Sequence, residues 1–417
     1  MDLLVSPCSQ LLTLLGNPSP RRGSCQGELS IIPDGAVLIE DETIKAIGPA
    51  KELEGRVAGT RPNRISAEGC VVMPGFVDSH SHPIFARSRH DEYELIIRGT
   101  RYQEIAESGG GILSSVRAVR ETSKSRLLEL SRTRLARFLE HGTTALEVKS
   151  GYGLDLENEI KLLEVVQDLQ KATPLELIPT FLGAHEIPEE YRSRKRQYIE
   201  LVTEQMIPVI AGRHLAEFCD CFVEPSIFSL EETEQVCISA RSQGLKIRLH
   251  ADQLSRSGAA RLGVRLKAVS VDHLEQILPE DIQVLSKSAT IATLLPGSVF
   301  HLGLNHYAPA RALIDAGVPV ALATDFNPGS SPTLNMQMIL SIACAQMRMT
   351  PAEAIVATTI NGAHALCRAN RIGSLEPGKQ ADLCIMDVED YRQIPYFFGM
   401  NHCKMTLKKG RIVYQRG

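Results

Sequence analysis

Two histidines in the segment Asp78-Ser79-His80-Ser81-His82 are the side chains of this sequence best placed to do chemistry. They follow an apolar run, residues 70–77, which predicts a buried strand. Alternate side chains of a strand share a face, so His80 and His82 can direct their imidazole nitrogens toward one point beyond the strand. Imidazole nitrogens bind transition-metal ions such as zinc. The spacing therefore predicts part of a metal site, although a His-x-His pair alone is a weak signal.

Short apolar runs, each ending in a polar residue, recur after this first one. Charged stretches with a 3.6-residue period lie between several of them, at residues 124–140, 156–171, 230–243 and 309–316, and predict helices. Alternating strands and helices over about 250 residues are typical of an α/β fold, here a (β/α)8 TIM-like barrel. The further predicted strands are residues 143–149, 175–185, 219–224, 245–250, 268–273, 289–295 and 318–325, making eight with the first.

The polar residues that end these predicted strands form a second signal. In a (β/α)8 barrel the chemistry lies at the carboxyl ends of the strands, so we expect these side chains to meet. A hydrolytic metal site needs about three protein ligands and an open position for water. We therefore expect one ion to be bound by a subset of them, although each taken alone fits a hydrogen-bonded histidine or a helix-capping aspartate. The strand ends carry His80, Lys149, His185, Glu224, His250, His273 and Asp325, and the expected ligands are His80, His82, His250 and Asp325.

Both ends of the chain show a different pattern, with short strands joined by acidic or glycine-containing turns. A small β-sandwich domain built from both chain termini would account for this pattern. The predicted strands of this domain lie within residues 29–39, 43–48, 381–386, 405–407 and 411–414.

The predicted domain boundaries follow from these two patterns. Residues 1–70 and 371–417 would form the small β domain, and residues 71–370 the metal-dependent barrel. Residues 17–24 are rich in proline, serine and arginine, and are predicted to be an exposed linker loop.

Composition excludes several functions. With 417 residues, 43% of them apolar, the chain can bury a large core. A net charge of −4 gives no basic surface for a polyanion, so nucleic acid is not an expected partner. The longest apolar stretches, such as residues 318–324, are too short to span a membrane. We expect a cytoplasmic protein whose ten cysteines are reduced thiols packed as small apolar residues.

Several motifs resemble a known family. Pro74-Gly75-Phe76-Val77-Asp78-Ser79-His80-Ser81-His82, with a histidine after the fifth predicted strand and an aspartate after the eighth, resembles the amidohydrolase superfamily. Further motifs are similar to one family within it, the imidazolonepropionases of histidine degradation, over roughly residues 27–417. These motifs are Glu147-Val148-Lys149-Ser150-Gly151-Tyr152-Gly153, Leu182-Gly183-Ala184-His185, His250-Ala251-Asp252-Gln253, Asp272-His273-Leu274-Glu275 and Ala323-Thr324-Asp325-Phe326-Asn327-Pro328-Gly329-Ser330.

The resemblance implies a hydrolase that acts on a carbon–nitrogen bond of a cyclic amide. That family opens the ring of 4-imidazolone-5-propanoate with water to give N-formimidoyl-L-glutamate. The expected mechanism is attack of metal-activated water on the ring carbonyl carbon, then C–N cleavage with Asp325 or His273 returning the proton to nitrogen. The resemblance also implies a homodimer.

The expected number of metal ions follows from a departure from related enzymes. Binuclear members of the superfamily bridge two ions with a carboxylated lysine late in the fourth strand. Here the fourth predicted strand ends in Glu224, and Lys149 ends the second. We therefore expect one divalent ion, and three imidazoles with one carboxylate suit Zn²⁺ or iron, as Fe²⁺ or Fe³⁺.

The substrate that the resemblance implies has a carboxylate on a short arm. Arg89 follows the first predicted strand and could bind this carboxylate through both arms of its guanidinium, a role that the resemblance also assigns to it. Without the resemblance, Arg89 would be interpreted as a solvated residue of a basic loop with Arg87. Tyr152 lies between two glycines, where a flexible backbone lets its hydroxyl reach into a pocket.

The loop after Asp325 is expected to complete the substrate site. Asn327 would bind the substrate through its side chain and Gly329 through its backbone, with Ser330 adjacent. A glycine at position 329 could equally be a turn residue.

Proton handling and ring orientation are expected from three residues. His185 could donate a hydrogen bond to the oxygen that gains charge, and His273 could accept a proton from the metal-bound water or orient it. These two roles could be exchanged. Gln253 stands where related cyclic-amide hydrolases and deaminases often carry glutamate, and an amide cannot titrate, so it can only orient groups. The predicted proton carrier is Asp325, assisted by His273.

Two other functions remain open from the sequence. One is a different amidohydrolase, either another cyclic-amide hydrolase or an aminohydrolase that releases ammonia from a heterocycle. The other is a non-catalytic scaffold that keeps the barrel for assembly with partners. Retention of all four expected metal ligands disfavours the scaffold.

Overall fold

Fifteen strands, divided between two sheets, form the framework of the computed structural model within the described residues. The structure describes residues 2–57, 62–101, 104–105 and 108–417. The strands are β1 (Asp2–Leu12), β2 (Ile31–Glu40), β3 (Thr43–Pro49), β4 (Asn63–Pro74), β5 (Phe76–Asp78), β6 (Thr143–Lys149), β7 (Glu176–Ala184), β8 (Phe218–Cys221), β9 (Lys246–Ala251), β10 (Ser270–His273), β11 (Ile291–Leu294), β12 (Val320–Leu322), β13 (Leu383–Met386), β14 (Cys403–Lys408) and β15 (Arg411–Gln415).

The larger sheet is a parallel barrel made of β5 to β12, each strand pairing with the next. Its two ends meet where Ser81 pairs with Phe326 and the Asp325 amide donates to the His80 carbonyl at 3.0 Å. This closure places the residue that follows β12 beside the histidines that follow β5. The predicted (β/α)8 barrel with eight strands is confirmed.

Amphipathic helices follow the barrel strands and cover them. The helix Lys124–Glu140 begins after Ser123, whose side chain accepts a hydrogen bond from a backbone amide of the first turn. The helix buries Leu127, Leu135 and Phe138 against the barrel. Its bounds are those that the charge and apolar periodicity predict. The other α-helices of the described residues are Ala50–Arg56, His90–Ile97, Gly111–Glu121, Leu156–Ala172, Lys195–Leu201, Ile207–Gly212, Leu230–Ser242, Ala259–Arg265, Pro279–Ser286, Pro296–His301, Ala310–Asp315, Met336–Met347, Pro351–Ala357, Ile360–Ala365 and Gln393–Tyr396.

The smaller sheet takes strands from both chain termini. It is a mixed, seven-stranded sheet in the order β15-β14-β13-β4-β1-β2-β3. Its core includes Val5, Val37, Val72 and Leu383, which come from both parts of the chain. The predicted small β domain assembled from both termini is therefore confirmed.

The apolar run at residues 70–77 is not the single barrel strand that its composition predicts. Its first part lies in β4, which pairs with β1 and β13 in the small sheet, and only Phe76–Asp78 joins the barrel. Gly75 separates the two and packs against Thr144, since a Cβ at position 75 would lie 2.3 Å from Thr144 Cγ2. Both parts are buried, so hydrophobicity alone could not divide the run between two sheets.

Strand β1 was not predicted, yet it lies inside the small sheet between β2 and β4. Its register with both neighbours is irregular between Val5 and Cys8, where Pro7 interrupts the apolar sequence. A proline and an irregular register hide the regular alternation by which a strand is recognised in a sequence.

The segment 17–24 is only partly the exposed linker that was predicted. Arg21 is buried, and its backbone amide donates to Asn361 Oδ1 at 2.8 Å. Arg22 reaches the carbonyl oxygen of Ser288 at 2.6 Å. This segment therefore anchors the small domain to the amino-terminal side of the barrel, since Asn361 also donates to the Val320 carbonyl.

Within the described ranges, every helix is too short or too polar to pass through a lipid bilayer.

Candidate metal centre and active site

Metal-binding side chains from four strand ends converge at the carboxyl end of the barrel. His80 Nε2 lies 3.3 Å from His82 Nε2, and Asp325 Oδ1 lies 3.7 Å from each of these nitrogens. His80 also belongs to a second group, in which its donor atom and those of His250 and His273 lie within 4.8 Å of one another. The four predicted ligands are thus brought together, and His273, which was predicted only to handle protons, lies among them.

The chemistry of this donor set fits a divalent metal ion. Burial holds the pKa values of His80 and His82 well below the usual histidine value, so both rings are neutral and offer lone pairs. Burial also raises the pKa of Asp325 to about 7. Buried nitrogen lone pairs that face a carboxylate at these distances are a donor set that suits a bound cation. The cluster therefore indicates a divalent metal ion.

Two carboxylates hold the ligand histidines from behind. Asp272 Oδ2 lies 2.7 Å from His80 Nδ1, and Asp220 Oδ2 lies 3.0 Å from His250 Nδ1. Both aspartates are fully buried. Metal-binding histidines commonly bond through their second ring nitrogen to a carboxylate, which fixes the tautomer and the orientation of the ring. The contacts leave Nε2 of both rings for an ion.

A layer of buried charges lies beneath these aspartates. Lys149 Nζ lies 2.6 Å from Asp220 and 2.9 Å from Glu147, and Arg248 lies 3.1 Å from both Glu147 and Asp272. Burial lowers the pKa of Lys149, but the two carboxylates outweigh burial and raise it. Lys149 is therefore a charged partner of the aspartates below the cavity, even though it ends a barrel strand.

A cavity with a volume of about 60 Å³ lies above the metal centre. All the predicted site residues except His80 and Gly329 line it. The apolar part of its wall comes from Ile112, Phe222, Leu254 and Leu302. Predominantly apolar walls with a few convergent polar groups are typical of small-molecule sites.

Arg89 lies in the wall of this cavity and not in solvent. It is 7% exposed, whereas the side chain of Arg87 is 71% exposed. The Arg89 amide donates to the Pro328 carbonyl at 3.1 Å, which ties the loop after β5 to the loop after β12. Its guanidinium lies 3.6 Å from Glu92. The solvated-loop interpretation of Arg89 is therefore wrong.

His185 is held in one tautomer by the loop after β6. Its Nδ1 lies 2.9 Å from the carbonyl oxygen of Gly151, and burial lowers its pKa to about 3, so the ring is neutral. Because Nδ1 must then carry the hydrogen, Nε2 is an acceptor. Of the two roles predicted for His185, this tautomer favours accepting a proton or hydrogen bond over donating one. The Tyr152 ring stands beside it, with centroids 5.5 Å apart.

His273 and Asp325 share an unusual backbone conformation. Their φ angles are +83° and +52°, in the left-handed region that favours glycine. Burial lowers the pKa of His273, but Glu275, 3.6 Å away, outweighs burial and raises it. Non-glycine residues in this region cluster at functional sites, where the surrounding structure compensates the strain.

Comparison with known proteins decides the family. The model of the Amidohydrolase family matches residues 71–413. An imidazolonepropionase of Solibacter usitatus (strain Ellin6076) is 47% identical over 415 residues, which are 100% of this chain and 99% of that protein. One of Geobacillus kaustophilus (strain HTA426) is 44% identical over 418 residues, covering 100% and 98%. The chain belongs to the amidohydrolase family and, within it, to the imidazolonepropionases. The resemblance inferred from the motifs is confirmed.

The amidohydrolase fold also appears in a solved structure of another enzyme. Guanine deaminase of E. coli superimposes with a TM-score of 0.75 at 17% identity, over 99% of this chain and 100% of that one. At this identity the likeness shows the shared fold alone.

Two of the strand-end or loop residues of this amidohydrolase, Glu224 and Asn327, use their side chains in hydrogen bonds that hold loops in place. The Glu224 carboxylate accepts hydrogen bonds from the Leu254 amide at 2.8 Å and from Ser255, so it braces the loop after β9 and does not line the cavity. Asn327 uses its side chain within its own loop, where Oδ1 accepts from the Gly329 and Ser330 amides at 2.8 Å. Its Nδ2 donates to the Asp325 carbonyl and to Ser330 Oγ.

Sequence reasoning missed the residues that orient the ligands of this amidohydrolase. Asp220 and Asp272 lie inside strands, and Glu147 and Arg248 lie two residues before Lys149 and His250 on the same strand faces. A single charged residue within an otherwise apolar barrel strand was the available signal, because such a residue must find a buried partner.

Proposed function

We propose that this chain opens the ring of 4-imidazolone-5-propanoate by hydrolysis and releases N-formimidoyl-L-glutamate, a step of L-histidine degradation. The observation that carries the proposal is the identity of 42–47% over essentially the whole chain with imidazolonepropionases. The cavity supports it independently, because a buried arginine and a histidine–aspartate centre line the same space. A small substrate with a carboxylate at one end and a hydrolysable ring at the other matches this pair of features.

The predicted ligands would hold one ion, either zinc or iron. His80, His82, His250 and Asp325 are the proposed set. An ion held there supplies the acidity that makes water a nucleophile near neutral pH. Lys149 and Arg248 already neutralise the carboxylates beneath the centre, which supports a single ion.

The remaining residues bind and orient the substrate. Arg89 pairs with the propanoate carboxylate, and its buried guanidinium makes that pairing stronger than it would be in water. Tyr152 and Gln253 offer a hydroxyl and an amide to the ring from the cavity wall. Ser330, with Asn327 and Gly329 forming its loop, lies on the same wall as Arg89.

Two groups of the site move the proton. Asp325 takes it from water and passes it to the ring nitrogen that leaves the carbonyl carbon, and His273, beside it, assists. A carboxylate beside the attacking water can accept its proton and return it to the leaving nitrogen. His185, which lines the cavity, orients the ring.

We also propose that the protein works in the cytoplasm as a homodimer, with its small domain formed by residues 1–70 and 371–417 and its barrel by 71–370. These assignments follow from the family and the sequence pattern.

The experiment that tests the function is an assay with freshly prepared imidazolonepropionate. The absorbance of the substrate should fall, and mass spectrometry should identify a formimidoyl amino acid. Direct release of ammonia without ring opening would identify an aminohydrolase. Metal-replete protein that consumes no substrate, or protein that elemental analysis finds to bind no metal, would overturn the proposal.

A further inference from the structure

A fully buried carboxylate outside the metal centre is directed at the loop of residues 151–154, which carries Tyr152. Glu159 lies in the first turns of the helix Leu156–Ala172 and is 0% exposed. Its Oε1 accepts hydrogen bonds from three backbone amides: those of Gly151 at 3.1 Å, Gly153 at 2.8 Å and Leu154 at 3.0 Å. Burial raises the pKa of Glu159, whereas the three amide hydrogen bonds lower it and favour the ionised carboxylate. No step of the proposed reaction uses Glu159.

The loop is built around this carboxylate. A Cβ at Gly153 would lie 2.5 Å from the backbone nitrogen of Glu159, so the loop packs directly on the helix. Gly151 has a φ of +95°, a conformation that side-chain-bearing residues rarely adopt. The conformation of the loop therefore depends on both the glycines and the carboxylate that receives their amides.

The same loop reaches two residues of the cavity. Tyr152 stands between the glycines whose amides Glu159 binds, and it lines the cavity. Gly151 donates its amide to Glu159 and also offers its carbonyl oxygen, which accepts a hydrogen bond from His185 Nδ1 at 2.9 Å. Glu159 thus holds the residue that selects the tautomer of His185, although it touches neither His185 nor the cavity.

We propose that Glu159 is a positioning residue of the substrate pocket, which fixes Tyr152 in place and keeps His185 as the Nδ1–H tautomer through the Gly151 carbonyl. His185 then presents an Nε2 lone pair to the cavity and recognises an N–H group on the ring of the substrate. The identity of that ring rests on the proposed function, whereas the tautomer and its dependence on Glu159 do not. An imidazolone ring carries such an N–H, and an analogue that is methylated on this nitrogen would not bind.

The tautomer is tested first in the unchanged, zinc-loaded protein. Histidine labelled with ¹⁵N distinguishes Nδ1–H from Nε2–H rings by the pattern of their hydrogen–nitrogen correlations, and the signal of His185 is identified by its loss in His185→Gln. We expect an Nδ1–H ring. An Nε2–H or doubly protonated ring would overturn the inference without any variant of Glu159.

The role of Glu159 is tested with Glu159→Gln and a matched control, Glu157→Gln, which makes the same change on the same helix at an exposed position. In Glu159→Gln the acceptor loses its charge, and an NH2 group replaces Oε2, which accepts from the Gly151 amide at 3.1 Å. We expect altered His185 signals and a KM raised at least about tenfold, with metal content unchanged and kcat less affected. The control should match the unchanged protein. Unaltered His185 signals would overturn the inference. So would an unchanged KM with a kcat that falls only as much as the fraction of folded protein.

A second variant covers the case in which Glu159→Gln does not fold. Ser150 bonds to Glu159 and accepts from the Leu182 amide at 2.9 Å, so Ser150→Ala weakens the same loop more mildly. We expect a smaller change in KM and in the His185 signals, in the same direction, and no change in either would contradict the inference. Failure of the unchanged protein to consume imidazolonepropionate would refute the proposed function alone and leave the His185 result to stand.

Discussion

Gly329 faces the guanidinium of Arg89 so closely that a Cβ at position 329 would lie 1.3 Å from Arg89 Nη2. The backbone amide of Gly329 is already bonded to Asn327 Oδ1 at 2.8 Å. The absence of a side chain is therefore the property of Gly329 that the cavity uses, because it leaves room for the arginine. This relationship gives the glycine a more definite role than either backbone binding of substrate or a simple turn.

Replacement of Gly329 by alanine should displace the Arg89 guanidinium. We expect KM for imidazolonepropionate to rise by about tenfold or more with a smaller change in kcat, since the carboxylate contact is lost and the metal centre is untouched. Gly212→Ala is the matched control, because nothing lies within 4 Å of a Cβ there. Steady-state kinetics that are unchanged in Gly329→Ala would show that the arginine can move without cost.

Removal of Arg89 itself should weaken binding of the propanoate carboxylate. A lost hydrogen-bonded charge pair corresponds to about a 10- to 100-fold rise in KM for Arg89→Ala. Arg87→Ala, in the same loop but exposed, should behave like the unchanged protein. If Arg89→Ala kept a normal KM, the carboxylate would have to bind elsewhere. For a substrate analogue in which an uncharged amide replaces the carboxylate, Arg89→Ala and the unchanged protein should have similar KM values.

Loss of a metal ligand should abolish turnover. We expect His250→Ala to contain less metal and to show no measurable ring opening, and prolonged dialysis of the unchanged protein against a chelator should have the same effect. His90→Ala removes an exposed histidine and serves as the control. Restoration with zinc or with ferrous iron, followed by elemental analysis, would distinguish the two metals. Full activity in chelator-treated protein would contradict a metal-dependent reaction.

The aspartates behind the ligands should control metal affinity. Asp272→Asn and Asp220→Asn remove the charge that orients His80 and His250, and such changes typically weaken metal binding by about 10- to 100-fold. Competition with a coloured chelator measures this directly, before any assay of activity. The surface variant Asp315→Asn should retain normal affinity. Unchanged metal affinity in both buried variants would mean that the barrel alone orients the rings.

Cysteine reactivity should follow burial. Burial raises the pKa of Cys8 to about 12 and those of Cys344 and Cys403 to about 11, so these thiols are protonated. Cys8 and Cys403 are also buried, and Cys344 is half-buried. In native protein at about pH 8, we expect iodoacetamide to modify the exposed Cys25 and Cys367. Mass spectrometry of peptides locates the label, and urea-unfolded protein provides the fully labelled reference. Rapid native labelling of Cys8 would contradict its buried position.

The positions of the barrel strands could be predicted because each is a short apolar run followed by a charged, periodic stretch. The observed bounds of Thr143–Lys149 and of Lys124–Glu140 are those expected. The transition from the small sheet to the barrel near Gly75 could not be predicted, because buried strands of different sheets have the same composition. The first strand of the chain was missed since a proline and an irregular register interrupt its pattern.

The metal ligands were predictable for a similar reason, as histidines and an aspartate that end barrel strands must meet once the barrel closes. The residues that orient them were not. Asp272 contacts His80, and Glu159 contacts Gly151, only because the folded chain brings these residues together. The side-chain direction of Asn327 and the backbone direction of Gly329 likewise depend on the loop that contains them, so their expected contacts with substrate stay predictions.

The pairing of β13 with β4 has a consequence for biosynthesis. Residues 383–386 leave the ribosome only after the entire barrel, yet they cover an edge of a strand that is made before it. Until then the nascent chain exposes an apolar, unpaired strand edge, which is a template for aggregation. Chaperone demand should therefore be greatest late in translation, and ribosome-arrested chains that stop before residue 383 should bind trigger-factor-like holdases most strongly.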